Sequence, residues 1–178
     1  MLLLLNGAPG VGKSALADFY ADRQPGTLVI EIDDLRRSIP GWEAIEESKV
    51  VARDLTLELA QDHLGRGEDV VIPQFLGRRE FVDQLRAVAE SAGTRFVEVV
   101  LHDDVDTIIE RFRQRRRELA ATGVRHPEAD LSGDAIAPEI AAANENLRAL
   151  AADFDLPVIE MGAGVQVAYE SLCAKLPR

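Results

Sequence analysis

The 178-residue sequence contains a single cysteine, Cys173, which excludes an intrachain disulfide and fits a reducing compartment. No apolar run approaches the roughly 20 residues that span a bilayer. The LLLL stretch near the amino terminus is too short for the core of a signal peptide, and Gly and Pro follow at once. A cytoplasmic location with no membrane partner is therefore expected. Histidine is scarce as well. His63, His102 and His126 are scattered without ligand spacing, so no histidine metal site is expected. Basic residues are outnumbered, with 20 Lys and Arg against 31 Asp and Glu and a formal net charge of −11. A protein that grips long nucleic acid needs a basic stripe, so this sign argues against such a role, although a local basic patch can override it. There is no internal repeat and no low-complexity linker.

What is present is ordinary for a soluble globular protein: 47% hydrophobic and 29% charged residues. The length favours one domain over 1–178, large enough to bury roughly 68–70% of the surface of its unfolded chain. Short apolar runs read as strands covered on both faces: 2–6, 27–33, 69–73, 95–102 and 156–161. Helical patterns fall between them, over 13–23, 43–65 with stop signals at Gly65 and Gly67, 78–92 closed by Gly93, and 103–120 opened by two aspartates. Such alternation predicts an α/β architecture, a parallel sheet with helices on both faces. Residues 121–134, rich in Gly, Pro and charge, break the rhythm and read as a lid segment within about 111–135, or as an ordinary surface loop.

The stretch GAPGVGKS connects the first strand to the first helix, and Gly7, Gly12, Lys13 and Ser14 match G-x-x-x-x-G-K-[ST]. Backbone N–H groups can surround a triphosphate only where the chain curls with little side-chain bulk, which Gly7, Gly10 and Gly12 permit. Ala8, Pro9 and Val11 are the small and apolar residues between them, and Ala15 completes the first helical turn. The start of the helix points its positive end at the same anion. Lys13 supplies charge to the β- and γ-phosphates, and the Ser14 hydroxyl can ligate Mg²⁺. ATP and Mg²⁺ are the expected cofactors, and N-K-x-D, the guanine-reading motif of GTPases, is absent.

The third strand ends VVIPQF, with Gln74 where motor ATPases carry an acidic residue. The carboxylates lie instead in IEIDDLRR, residues 30–37, placed by this reading at the end of the second strand on the same rim as Lys13 and Ser14. Asp33 can take a proton from an attacking hydroxyl or help to hold Mg²⁺, and Arg36 and Arg37 can hold an acceptor. A helix cap is the plainer alternative for the aspartates. A second constellation, IIERFRQRRR, places five arginines within 111–117. Arg111 and Arg115 are four apart and share a helical face, suited to stacking on a base and to stabilising a transferring phosphoryl group. A solvated basic face is the alternative, favoured for Arg116 and Arg117.

The order of GAPGVGKS, D-D-L-R after the second strand and an Arg-rich helix after the fourth resembles the small P-loop kinases. The nearest patterns are those of the phage polynucleotide 5′-kinase domain, the zeta-toxin group and chloramphenicol phosphotransferase, with gluconate and shikimate kinases further away. This resemblance implies a three-layer α/β/α sandwich with parallel strand order 2-3-1-4-5. It implies that Asp33 is the general base, Arg36 the acceptor-binding arginine, and Arg111 and Arg115 the R-x-x-x-R of a lid helix. It also implies that the loop from Gly162 to Gly164 lies near the adenine. Many relatives place Asp or Asn near the position of Gln74, so Gln74 and Arg78 either read the acceptor or only support the fold. Trp42 is either a wall of the acceptor pocket or a core residue.

The expected activity is transfer of the γ-phosphoryl group of Mg·ATP to a small hydroxyl-bearing acceptor such as a nucleoside, nucleotide, sugar or antibiotic. A polynucleotide 5′-hydroxyl kinase is the second candidate, disfavoured by the acidic charge. A regulatory module that hydrolyses ATP slowly is the third.

Overall fold

The computed structural model describes residues 1–122 and 136–176. Five strands form one parallel sheet: Leu2–Gly7 (β1), Leu28–Val29 (β2), Val70–Gln74 (β3), Phe96–His102 (β4) and Val158–Glu160 (β5). Their order is β2-β3-β1-β4-β5, as the resemblance implies. Seven helices are described: Lys13–Ala21 (α1), Ile32–Arg37 (α2), Ser48–Gly65 (α3), Arg79–Ser91 (α4), Val105–Thr122 (α5), Ala137–Asp153 (α6) and Val165–Lys175 (α7).

The leucine run of β1 explains the layering. Successive strand side chains point to opposite faces. Leu3 and Leu5 join one core with Leu16, Val71, Leu101, Ile108, Phe112, Ile140 and Leu172. Leu2 and Leu4 join the other with Ala52, Val70, Ile72, Phe81 and Leu85. Both faces of the central strand are covered, which is why it reads as an unbroken apolar run. At its carboxyl end Asn6 sits beside Gln74 of β3 and Val100 of β4, and Gly7 beside Leu101. Strand connections leave in opposite directions around β1, the usual position of a ligand crevice in a parallel sheet.

Three of the shifts in expected boundaries bear on the site. The second strand is only Leu28–Val29, not 27–33, and Asp33 lies in the first turn of α2. This edge strand pairs with β3 alone. The residues beyond it carry acids in a first turn and Arg36 and Arg37 in a last turn, the polarity that suits a helix dipole. The expected helix over 43–65 begins at Ser48, because Pro40 and Gly41, with φ +75° at Gly41, turn the chain before it. The expected helix over 103–120 begins at Val105, and Asp104 caps it from outside by accepting the Thr107 N–H at 3.1 Å. The stretch 123–135, which holds most of the expected lid and His126, lies outside the described residues.

Candidate active site

The loop after β1 curls tightly: the Val11 N–H donates to the Ala8 carbonyl at 3.2 Å, and Lys13 opens α1 directly. Gly10 and Gly12 take φ values of +89° and +106°, which side chains rarely adopt. Gly10 has a second reason to be glycine. A Cβ there would lie 2.6 Å from the Ile108 carbonyl oxygen and 3.1 Å from Phe112 Cβ. The loop and α5 therefore touch backbone to backbone. The Lys13 ammonium donates to the Gly7 and Ala8 carbonyls at 3.0 and 3.1 Å, which draws it across the loop. The first amides of α1 have no acceptor within their own helix and point out of its N-terminus.

Because α5 rests on Gly10, Arg111 and Arg115 stand over this loop. Together with Gly10, Gly12, Lys13, Ser14 and Ala15 they line a cavity of about 250 Å³. Among the described residues its wall holds three cations and no carboxylate. Arg111 is oriented by buried Asp103, which accepts from its guanidinium at 2.7 Å. The loop after β5 also approaches the glycine loop: a Cβ on Gly12 would meet Met161 Cε at 3.0 Å. Gly162 and Gly164 follow Met161 and are exposed, outside the wall of this cavity.

A second cavity of about 190 Å³ adjoins the first and shares Lys13, Ser14 and Arg115 with it. Its wall adds Glu31, Asp33, Gln74 and Phe75. Asp33 thus reaches the rim that sequence reasoning assigned to it, but from a helix rather than a strand end. Glu31 was missed altogether. It stands with Ser14 in the wall of this cavity. Burial pushes the Glu31 carboxyl above the ordinary glutamate range; the nearby Ser14 hydroxyl and the Lys13 charge pull it down, while Asp34 and Asp33 push it further up. The available signal was a further carboxylate two residues before Asp33.

The donor set fits the groups that a kinase would hold. A cavity walled by cations suits phosphates. The adjoining oxygens of Ser14, Glu31 and Asp33 are hard ligands of the kind Mg²⁺ takes. Among the described residues no three or more His, Cys, Asp and Glu side chains converge on a protein-only metal cage.

The segment after β3 is pinned by Asn6. Its side chain donates to the Leu76 carbonyl and accepts the Leu76 N–H, both at 3.0 Å, and also donates to buried Glu98 at 3.1 Å. Arg79 clasps Glu98 with contacts of 2.9 and 2.8 Å. This fixes the start of α4 and the positions of Gln74, Phe75 and Arg78. Arg78 faces a separate cavity rather than the one at Asp33. Arg36 and Trp42, expected at the acceptor, are brought to each other instead. Arg36 Nε donates to Ser48 Oγ at 2.9 Å, its guanidinium lies 4.7 Å from the Trp42 ring, and Ser48 Oγ donates to the Trp42 carbonyl. They close the turn over 38–47, and neither lines the two cavities.

The sheet order and the glycine loop between β1 and α1 define a P-loop kinase-like α/β fold. The AAA_33 family model, described as an AAA domain, matches residues 2–131, and the chain belongs to that family. Similar solved structures agree in fold. A candidate kinase from Chloroflexus aurantiacus is 12% identical with a TM-score of 0.67, covering 99% of this chain and 98% of that one. A gluconokinase from Sinorhizobium meliloti 1021 is 20% identical with a TM-score of 0.58, covering 97% and 91%. The tunicamycin resistance protein of Deinococcus radiodurans is 16% identical with a TM-score of 0.62, covering 97% and 94%. No curated protein sequence matches the chain significantly. Among the described residues no helix is long and apolar enough to cross a membrane.

Proposed function

We propose that the protein is an ATP-dependent kinase of a small hydroxyl-bearing molecule, using Mg²⁺. The observation that carries this reading is the pairing of two adjoining cavities. One is walled by Lys13, Arg111 and Arg115, the other holds Glu31 and Asp33, and Lys13, Ser14 and Arg115 belong to both. A phosphoryl group moving from the first to the second passes the shared residues. Kinase chemistry needs such positioning and charge stabilisation more than covalent participation by the protein. Membership of the AAA_33 family and the kinases among the similar structures support the same class.

In this reading the P-loop amides from Gly7 to Ser14 and Lys13 hold the triphosphate, with Arg111 over the nucleotide. Asp33 accepts the proton of the acceptor hydroxyl. The acceptor oxygen forms a bond to the γ-phosphorus as the bond from that phosphorus to the β–γ bridging oxygen breaks, and ADP leaves with the electron pair. Lys13 and Arg115 stabilise the charge on the transferring group. Mg²⁺, when bound, neutralises phosphate charge and orients the oxygens, with Ser14, Glu31 and Asp33 as the groups that would hold it, directly or through water. Gly162 and Gly164 are the candidates for contact with the base, since their loop follows Met161 at Gly12.

The test is transfer of label from γ-labelled ATP into pooled acceptors: nucleosides and nucleotides, sugars and sugar acids, hydroxyl-bearing antibiotics, and 5′-hydroxyl oligonucleotides. Label is expected in one small-molecule pool and absent with Lys13→Ala. Asp33→Asn should cut transfer by about 10²–10⁴ while nucleotide affinity measured without Mg²⁺ stays near wild type. Label entering only oligonucleotides would make the protein a polynucleotide kinase. Label released solely as inorganic phosphate, equally by wild type and Asp33→Asn, would overturn the kinase reading.

A further inference from the structure

The third cavity, about 350 Å³, is lined by Arg53, Phe75, Leu76, Gly77, Arg78, Glu80 and Phe81. Phe75 is also part of the wall of the Asp33 cavity, so the two meet at this side chain. The protein carries a net charge of −11, yet this cavity holds two arginines against one carboxylate, Glu80. Among the described residues neither the Arg53 nor the Arg78 side chain, both exposed, has a hydrogen bond or a carboxylate partner. Arg53 only lies over the Phe81 ring, at 5.2 Å from its centre. The neighbouring cations are committed: Arg79 to Glu98, Arg36 to Ser48 and Trp42. The cavity is also held in shape, because Asn6 bonds both the N–H and the carbonyl of Leu76.

We propose that this cavity is the distal subsite of the phosphate acceptor, and that the acceptor is an acidic alcohol. Its hydroxyl sits at Asp33, its body passes Phe75, and an oxyanion, either a carboxylate or a phosphate monoester, is taken by Arg53 and Arg78. Guanidinium groups match planar or tetrahedral oxyanions with paired N–H donors, and such charge-assisted bonds are the strong ones. Phe75, 38% exposed despite its size, supplies an apolar face between the two polar ends. The proposal rests on the kinase reading for the role of Asp33, but the anion site itself does not.

The experiment separates the two. With Mg²⁺ and a non-hydrolysable ATP analogue saturating the P-loop, inorganic phosphate, gluconate and glycerol 3-phosphate are titrated by calorimetry, with glucose and glycerol as neutral counterparts. Saturable binding of a phosphate or carboxylate probe, and none of the neutral compounds, is expected. Arg53→Gln and Arg78→Gln should each weaken that binding by about ten- to hundredfold, with the affinity for the ATP analogue unchanged. The phosphate and gluconate arms distinguish which oxyanion is preferred. Neutral compounds binding as well as the acids, no binding of any anion, or affinities unmoved in both variants would overturn the proposal. Anion binding that is lost in the variants, together with failure of every acceptor to take label from ATP, would keep the anion site and sink the kinase reading instead.

Discussion

Replacing Gly10 with alanine tests whether the P-loop and the arginine-bearing helix α5 are one mechanical unit. Two costs arise at this position. Its φ of +89° lies where alanine is strained, and the added Cβ would stand 2.6 Å from a backbone oxygen, that of Ile108. A helix carbonyl cannot swing aside as a side chain can, so either the loop or α5 must shift. Gly67 is the control, since its φ is +85° but nothing lies within 4 Å of its Cβ position. The backbone strain is about 1–2 kcal/mol in each variant, and crowding in a packed region adds about 1–3 kcal/mol at Gly10 alone. The loss of unfolded-state freedom on changing Gly to Ala is common to both and cancels between them. For a chain of this size 1 kcal/mol moves Tm by about 2–4 °C. Gly10→Ala should therefore melt about 2–12 °C below Gly67→Ala, measured by circular dichroism. Since Arg111 and Arg115 ride on α5, Gly10→Ala should also weaken ATP-analogue binding while Gly67→Ala should not. Equal melting temperatures with equal nucleotide affinities would refute the reasoning.

The parts of this molecule legible in the sequence are those set by local demands. A phosphate cradle requires glycines and a lysine at fixed spacing, and a doubly covered strand requires an unbroken apolar run; GAPGVGKS and LLLL meet those demands within a few residues. Helix α5 was legible for the same reason, through arginines four apart. The parts less legible depend on partners distant in sequence. D-D-L-R made Arg36 a natural acceptor residue, yet Ser48, twelve residues on, takes its Nε–H. Arg53 carries no motif at all in mid-helix and acquires interest only because the turn after β3 brings Phe75 and Arg78 beside it. The edge strand β2 is shorter than its apolar run because pairing on one side alone gives the backbone little reason to stay extended. Glu31 was hidden by the same misjudgement: taken as a residue inside a strand it draws no notice, whereas just beyond a strand end it faces Ser14.

Two further perturbations separate scaffold from chemistry. Arg79→Ala leaves Glu98, 4% exposed in the wild type, without its cation. A stability loss of about 3–5 kcal/mol in urea unfolding is expected, and a loss below 1 kcal/mol would mean that water reaches this carboxylate. Glu31→Gln should act in opposite directions on stability and on function. Burial is the largest influence on Glu31 and raises its pKa above the unfolded value. The stability this group contributes is therefore present below its unfolded pKa and is lost as pH rises through the raised folded value. At neutral pH the wild type bears the cost of a half-buried carboxylate, and the glutamine variant does not. Unfolding free energies measured from pH about 4 to 7 should diverge, with the variant gaining on the wild type as pH rises. Binding of the ATP analogue with Mg²⁺ should weaken over the same range, because the carboxylate beside Ser14 is gone. Parallel stability curves would mean that Glu31 is solvated rather than confined. A variant that gains stability but binds the nucleotide and metal as before would show that Glu31 serves the fold and not the phosphates, leaving Ser14 and Asp33 to hold the ion.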